Sequence, residues 1–232
     1  MKQPGLPLLA AAFCLFCSGP ALAHEFVLDP GHSKNRPGAK SCSGAYEYAY
    51  NDNLAGFISR HLAARNIAVE MTRTPDGEIS LTDRAKTAAG KKLFLSLHHD
   101  SAQPQFVRQI NGNPCSDKAE GYSIFVSAKN PHFQKSLACA RVLGEALRRS
   151  GLVPSAHHGE NIKGENRKSL DAHLGIYLFD DLVVLKNAES PALLLEAAVI
   201  INPADEVRAG SEAYRLKIAQ AVEQTMLFAK KL

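Results

Sequence analysis

The stretch Leu93-Phe94-Leu95-Ser96-Leu97-His98-His99-Asp100 decides the fold class. It is an apolar run that ends abruptly on titratable side chains. Continuous apolar runs of this length suit strands covered on both faces within a mainly parallel sheet. Two further runs have the same shape and the same kind of ending. Phe26-Val27-Leu28 leads into Asp29-Pro30-Gly31-His32, and Ala192-Leu193-Leu194-Leu195 leads into Glu196. Open parallel sheets bind their ligands just beyond the carboxyl ends of the strands. Three remote segments are therefore expected to deliver two histidines and a carboxylate to one rim, the raw material of a hydrolytic zinc site.

Working outward from these runs, strand and helix patterns alternate. Leu54, Phe57, Ile58, His61 and Leu62 fall on one face of a helix. Ile67 to Met71 reads as a strand, and Leu81 opens a short helix ending near Gly90. A polar loop runs from Gln103 to Glu120, with Asn111-Gly112-Asn113-Pro114 as a turn. Gly121 to Val126 reads as a strand, and Pro131 to Ser150 as a long helix stopped by Gly151. Pro154 to His173 is polar and irregular. Leu182 to Leu185 and Ala192 to Ala197 read as the last strands, and a helix runs from Ala204 to the C-terminus. The alternation predicts a single-domain α/β sandwich of three layers, with a mainly parallel central sheet and helices on both faces.

The first residues read as an export signal. Lys2 supplies a positive start, Leu8 to Phe16 an apolar stretch, and Ala21-Leu22-Ala23 a small-x-small cleavage site. The apolar stretch is shorter than the ~20 residues that span a bilayer, so residues 1–23 are expected to be removed and 24–232 to form the domain. No stable membrane insertion is expected, and the location is expected to be periplasmic or secreted. At 45% hydrophobic and 22% charged, the chain is ordinary globular material. A net charge of +4 with scattered basic residues gives no basis for a nucleic-acid partner. Cys14 and Cys17 would leave with the signal. In an oxidising compartment Cys42, Cys115 and Cys139 can hold at most one bridge. Cys139 shares a helical face with Leu143 and Leu147, so Cys42 and Cys115, both in polar loops, make the better pair.

His32 and His98 are candidate metal ligands. A third should be a nearby carboxylate, and Glu47 opens the helix after the first loop, where the local dipole and free N–H groups favour a negative charge. Glu196 then remains as a base beside the metal. At this point the residues resemble a known family, the zinc-dependent N-acetylmuramoyl-L-alanine amidases of type 3. Its aspartate-proline-glycine-histidine motif stands as Asp29 to His32, and its glutamate with asparagine four positions on as Glu47 and Asn51. Thr72-Arg73 and Leu81 to Arg84 match a further segment. The serine-apolar-histidine-x-aspartate motif is Ser96 to Asp100, and the closing motif is Pro191-Ala192 to Glu196, with Asn202 after it.

The resemblance implies one zinc ion per chain held by His32, Glu47 and His98, with Glu196 as the catalytic base. It implies hydrolysis of the amide between N-acetylmuramic acid and the L-alanine of peptidoglycan stem peptides. A zinc peptidase acting on those peptides and a non-catalytic wall-binding protein are the alternatives. Two departures stand out. His99 occupies a position where the family usually has alanine, and Ala197-Ala198-Val199 replaces the usual glycine-phenylalanine after the glutamate. Alternation places His98 and His99 on opposite sides of the strand, and the motif selects His98. The segment from Asp100 to Tyr122 is too short to carry a blocking helix, so no activator protein is expected to be required. No segment reads as an appended wall-binding module.

His157 and His158, adjacent in a polar loop, are expected to be solvated. Glu165 and Arg167 are candidates to line a substrate groove, His61 a core or boundary residue, and Arg84 a capping or ion-pair residue without chemistry.

Overall fold

The computed structural model describes residues 24–75 and 77–232. The expected export signal, with Cys14 and Cys17, lies outside the described residues. In chain order the main elements are β1 (Phe26–Pro30), α1 (Glu47–Ala63), β2 (Val69–Met71), α2 (Leu81–Lys86) and β3 (Leu93–Asp100). A small hairpin follows, β4 (Arg108–Ile110) and β5 (Asn113–Cys115), then β6 (Ser123–Val126) and α3 (Phe133–Arg149). The chain closes with β7 (Ser169–Asp171), β8 (Ile176–Leu178), α4 (Val183–Lys186), β9 (Ala192–Val199), α5 (Pro203–Gly210) and α6 (Glu212–Ala229).

The central sheet has seven strands in the order β2-β1-β3-β9-β6-β8-β7. The first four are mutually parallel. β6 runs antiparallel to β9, β8 parallel to β6, and β7 antiparallel to β8. The strands are apolar on both faces because each face is covered. Leu28, Leu93, Leu95, Leu97 and Leu195 point to α1, α3 and α6, where they meet Leu54, Ile58, Leu143, Leu147, Val222 and Met226. Their neighbours in sequence, Val27, Phe94 and Leu194, point the other way and pack with Val184, Leu185 and Ala188. Burial of such a side chain contributes ~1.5–3 kcal/mol, so a one-residue slip in any central strand would exchange the two cores and is strongly disfavoured.

Four expectations are corrected. Leu182 to Leu185 belongs to the helical turn α4, not to a strand. A short apolar run carries no period that separates the two, and here Asn130 Nδ2 donates to the carbonyls of Leu185, Ala188 and Ser190, which fixes the turn. The C-terminal helix is two helices, broken at Ser211, whose backbone is extended and whose hydroxyl accepts from the Tyr214 N–H. The stretch from Pro154 to His173 is not wholly irregular, since it contributes β7 to the sheet edge. The loop after Gln103 likewise contains the β4–β5 hairpin.

Cys42 and Cys115 form a disulfide, and Cys139 is a buried free thiol. The bridge joins the loop between β1 and α1 to strand β5. The same two loops are tied to the end of the sheet by bonds from the Cys42 N–H to the Ile200 carbonyl and from the Ser116 N–H to the Ile201 carbonyl. No helix among the described residues is long and apolar enough to cross a membrane.

Candidate metal centre and cleft

His32 follows β1, Glu47 begins α1, and His98 lies near the end of β3, and their ligand atoms all fall within 4.8 Å of one another. Glu47 Oε2 lies 3.0 Å from His32 Nε2, and Glu47 Oε1 lies 2.9 Å from His98 Nδ1. Burial pushes the Glu47 carboxyl up, but hydrogen bonds and charge from His32 and His98 outweigh it and hold the group well below the usual carboxylate range. Two glycines permit this crowding. A Cβ on Gly31 would lie 2.2 Å from His98 Nε2, and one on Gly38 would lie 2.3 Å from Glu47 Oε2.

The loop carrying His32 is held by buried polar contacts. Asp29 is fully buried and accepts from Thr72 Oγ1 at 2.6 Å, Ser96 Oγ at 2.7 Å and Arg84 Nη1 at 3.2 Å. Arg84 also donates to the carbonyls of Pro30 and His32, and Arg73 to that of Gly31. His32 itself sits at φ 61°, a left-handed conformation that costs a non-glycine residue energy and persists only when its surroundings enforce it. Arg84 therefore serves as an ion-pair residue, as its position in the sequence suggested.

Alternation on β3 separates the two adjacent histidines as expected. His98 faces the cleft, while His99 turns to the α1 side, where its Nδ1 lies 2.8 Å from Asn51 Oδ1. Asn51 Nδ2 then donates to Glu47 Oε1 and to the Gly31 carbonyl, and the His99 N–H also donates to Glu47 Oε1. His99 thus orients Asn51, and Asn51 orients Glu47. Burial lowers the His99 pKa to about 4 against the opposing charge of Glu47.

Glu196 stands in register beside His98 on the neighbouring strand, on the same face of the sheet. It lines a cleft of about 540 Å³ with Asp29, His32, His98, Arg84 and the apolar side chains of Ile79, Leu81, Leu182, Val183 and Val184. Its Oε2 is buried without a hydrogen-bond partner. Burial, then the charges of Asp100 and Glu47, push its carboxyl well above the ordinary range, and Arg167 opposes them weakly. A buried, unpaired carboxyl lining a cleft is costly, and groups perturbed in this way cluster at functional sites.

The sequence profile of the N-acetylmuramoyl-L-alanine amidases matches residues 26–227. The chain belongs to this family. It is 27% identical over 207 residues to a protein of Staphylococcus epidermidis named probable cell wall amidase LytH, and 27% identical over 205 residues to its Staphylococcus aureus counterpart. These alignments cover 88% of the chain but 58% and 57% of the relatives' own lengths. Among solved structures, the amidase Ami1 of Mycobacterium smegmatis superposes with TM-score 0.71 at 20% identity, over 91% of this chain and 99% of that one. An N-acetylmuramoyl-L-alanine amidase of Clostridium difficile 630 gives the same TM-score at 22% identity, over 91% and 98%. The family thus shares the fold, a mainly parallel sheet between helical layers.

A second cluster, not expected from the sequence, lies at the end of β3. His157 and His158 are each only 5% exposed, not solvated, and both ring Nε2 atoms face Asp100 Oδ2, at 3.0 and 2.8 Å. Glu165 does not line an open groove. Its carboxylate accepts from Gln103 Nε2, pairs with Arg167 and lies 2.8 Å from His158 Nδ1. Arg167 packs over the Phe179 ring, 4.0 Å from its centroid. Burial works against charge on His158, but Asp100 and Glu165 overcome it and raise its pKa to about 9. One signal was present in the sequence: Asp100 follows His98 by two positions, on the same face of a strand.

Proposed function

We propose that this chain is a zinc-dependent N-acetylmuramoyl-L-alanine amidase that cleaves the bond between the lactyl group of muramic acid and the L-alanine of the stem peptide. The observation that carries the reading is the convergence of His32, Glu47 and His98 beside the cleft that His32, His98 and Glu196 line, where Glu196 has an unpartnered oxygen. Two imidazoles and one carboxylate form a donor set suited to zinc, with a position left for water or substrate. The glycine cradle and the Asn51 bridge fit that role, because they hold Glu47 between the two rings. When bound there, zinc supplies a Lewis acid for the scissile carbonyl and acidifies a water molecule.

The chain's own residues supply the rest. Glu196, whose buried carboxyl has a raised affinity for protons, takes one from the attacking water and returns it to the leaving amine of alanine. The apolar wall of Ile79, Leu81 and Val183 receives the lactyl and alanyl methyls and keeps bulk water from the bond. Arg36 at the cleft margin offers a cation to stem-peptide carboxylates. Peptidoglycan outside the cytoplasmic membrane is the substrate, so the chain works in the periplasm or after secretion. Asp100 to Tyr122 contains the β4–β5 hairpin and no helix long enough to cover the centre, and we infer that no activator protein is needed.

The test is to incubate the purified protein with sacculi, with and without a chelator, and to identify products by mass. Peptides beginning at L-alanine, formed only in the absence of chelator, support the reading. Cleavage within the stem peptide would instead mark a peptidase, and no release under any condition would leave a wall-binding role. A protein silent until a partner is added would overturn the inference of an open site.

A further inference from the structure

We propose that Asp100, His157 and His158 form a second divalent-metal site of the zinc type, built from residues other than His32, Glu47 and His98. The ligand atoms of the three side chains lie within 4.8 Å of one another. Asp100 Oδ2, His157 Nε2 and His158 Nε2 are all buried, and none of the three makes a directed hydrogen bond. Their mutual distances are those of ion pairs, but the approach lacks hydrogen-bond geometry. Three buried polar atoms aimed at one another without directed partners is an arrangement that a cation resolves and that protein groups alone do not.

The far sides of both rings are prepared for ligation. His158 Nδ1 lies 2.8 Å from Glu165 Oε2, and His157 Nδ1 lies 2.7 Å from Ser155 Oγ. A proton on each Nδ1 satisfies these partners and turns the Nε2 lone pair inward, and for His158 the partner makes the carboxylate–histidine arrangement that orients ligands at metal sites. Glu165 is in turn fixed by Gln103 and Arg167.

A simple ion pair accounts for less. The two rings lie tilted against each other with centroids 3.8 Å apart, so charging both at once sets like charges against each other in a buried place. A single proton would serve one nitrogen and leave the other unpaired. A dication serves all three atoms. Two imidazoles with one carboxylate favour zinc over magnesium or calcium, which take oxygen ligands. An ion here would fasten the segment from Ser155 to Arg167 to the end of β3, two residues beyond His98.

The inference stands apart from the proposed activity, and metal content tests it without any assay of turnover. The protein is stripped with chelator, reloaded with zinc, freed of loose ions and analysed for zinc per chain. Two ions are expected for the natural chain, and one for a His32→Ala/His98→Ala variant. Adding Asp100→Asn and His157→Gln to that variant should bring the count to zero. These replacements preserve volume and keep the fold testable by circular dichroism. Glu165→Gln in the His32→Ala/His98→Ala background should weaken zinc retention by about 10- to 100-fold. A folded His32→Ala/His98→Ala protein that holds no zinc overturns the proposal. So does a count unchanged by Asp100→Asn with His157→Gln.

Discussion

His99 should make the stability of this protein fall on mild acidification, in a way that one substitution removes. The ring is buried against α1, with Asn51 as its hydrogen-bond partner. Desolvation brings its pKa from the ordinary 6.5 down to about 4. A folded-state pKa below the unfolded one means that the neutral ring contributes stability above pH 6.5. That contribution is lost progressively as pH falls from 6.5 towards 4, because the unfolded chain takes up a proton that the folded chain refuses. The fall from 6.5 to about 4 corresponds to roughly 3 kcal/mol in all. Roughly 2 kcal/mol of it lies between pH 7 and pH 5. Urea unfolding of chelator-treated protein, natural and His99→Gln, at both pH values gives the comparison. The natural chain should lose roughly 2 kcal/mol more than the variant. Other titrating groups, such as His158, act on both proteins alike and cancel in the difference. Parallel losses would show that the ring is not held neutral and that the reasoning from burial is wrong.

Three further outcomes are expected. Glu196→Gln should retain metal and fold while turnover on sacculi falls by ~100- to 10,000-fold, whereas His98→Ala should lose the metal of the His32–Glu47 centre together with activity. Metal analysis beside product mass separates the two, and near-normal turnover in Glu196→Gln would remove that residue from the mechanism. Arg84→Ala leaves Asp29 buried without its cation and should cost ~3–5 kcal/mol in denaturant unfolding. A loss under 1 kcal/mol would mean that Thr72 and Ser96 suffice. Opening the Cys42–Cys115 bridge, which spans a sequence separation of 73, with serine at both positions should cost ~2–4 kcal/mol. Thiol titration of denatured, unreduced chain cleaved before His24 should find only Cys139.

The fold and the first centre were legible because they lie on the strongest periodic signals. Apolar runs ending in His32, His98 and Glu196 named the buried strands and the rim of the candidate site together, and the α1 pattern put Glu47 at a helix start. The helical turn at Val183 was not legible, because four apolar residues fit a strand and a helix equally well. What decides it is the Asn130 side chain, more than fifty residues away in sequence. His157 and His158 were misread for a similar reason. A polar loop is solvated unless something distant covers it, and Asp100 and Phe125, which do so, belong to other elements.

The reversal of direction between β9 and β6 has a consequence for how such a protein can vary. On one side of that seam, His32, His98 and Glu196 hang from the exits of parallel strands whose register fixes them. On the other side, the segment bearing His157 and His158 arrives alongside the start of β6, with Pro154 paired to Tyr122. It hangs from the outer flank of the sheet, beyond the strands that set the first centre. The two sides are joined through side chains, where His157 and His158 face Asp100 at the end of β3: a graft replacing residues between Pro154 and Ser169 would remove those contacts and leave the parallel register untouched. Differences in what sheets of this design recognise should accumulate on that flank, while the exits across the seam stay the same.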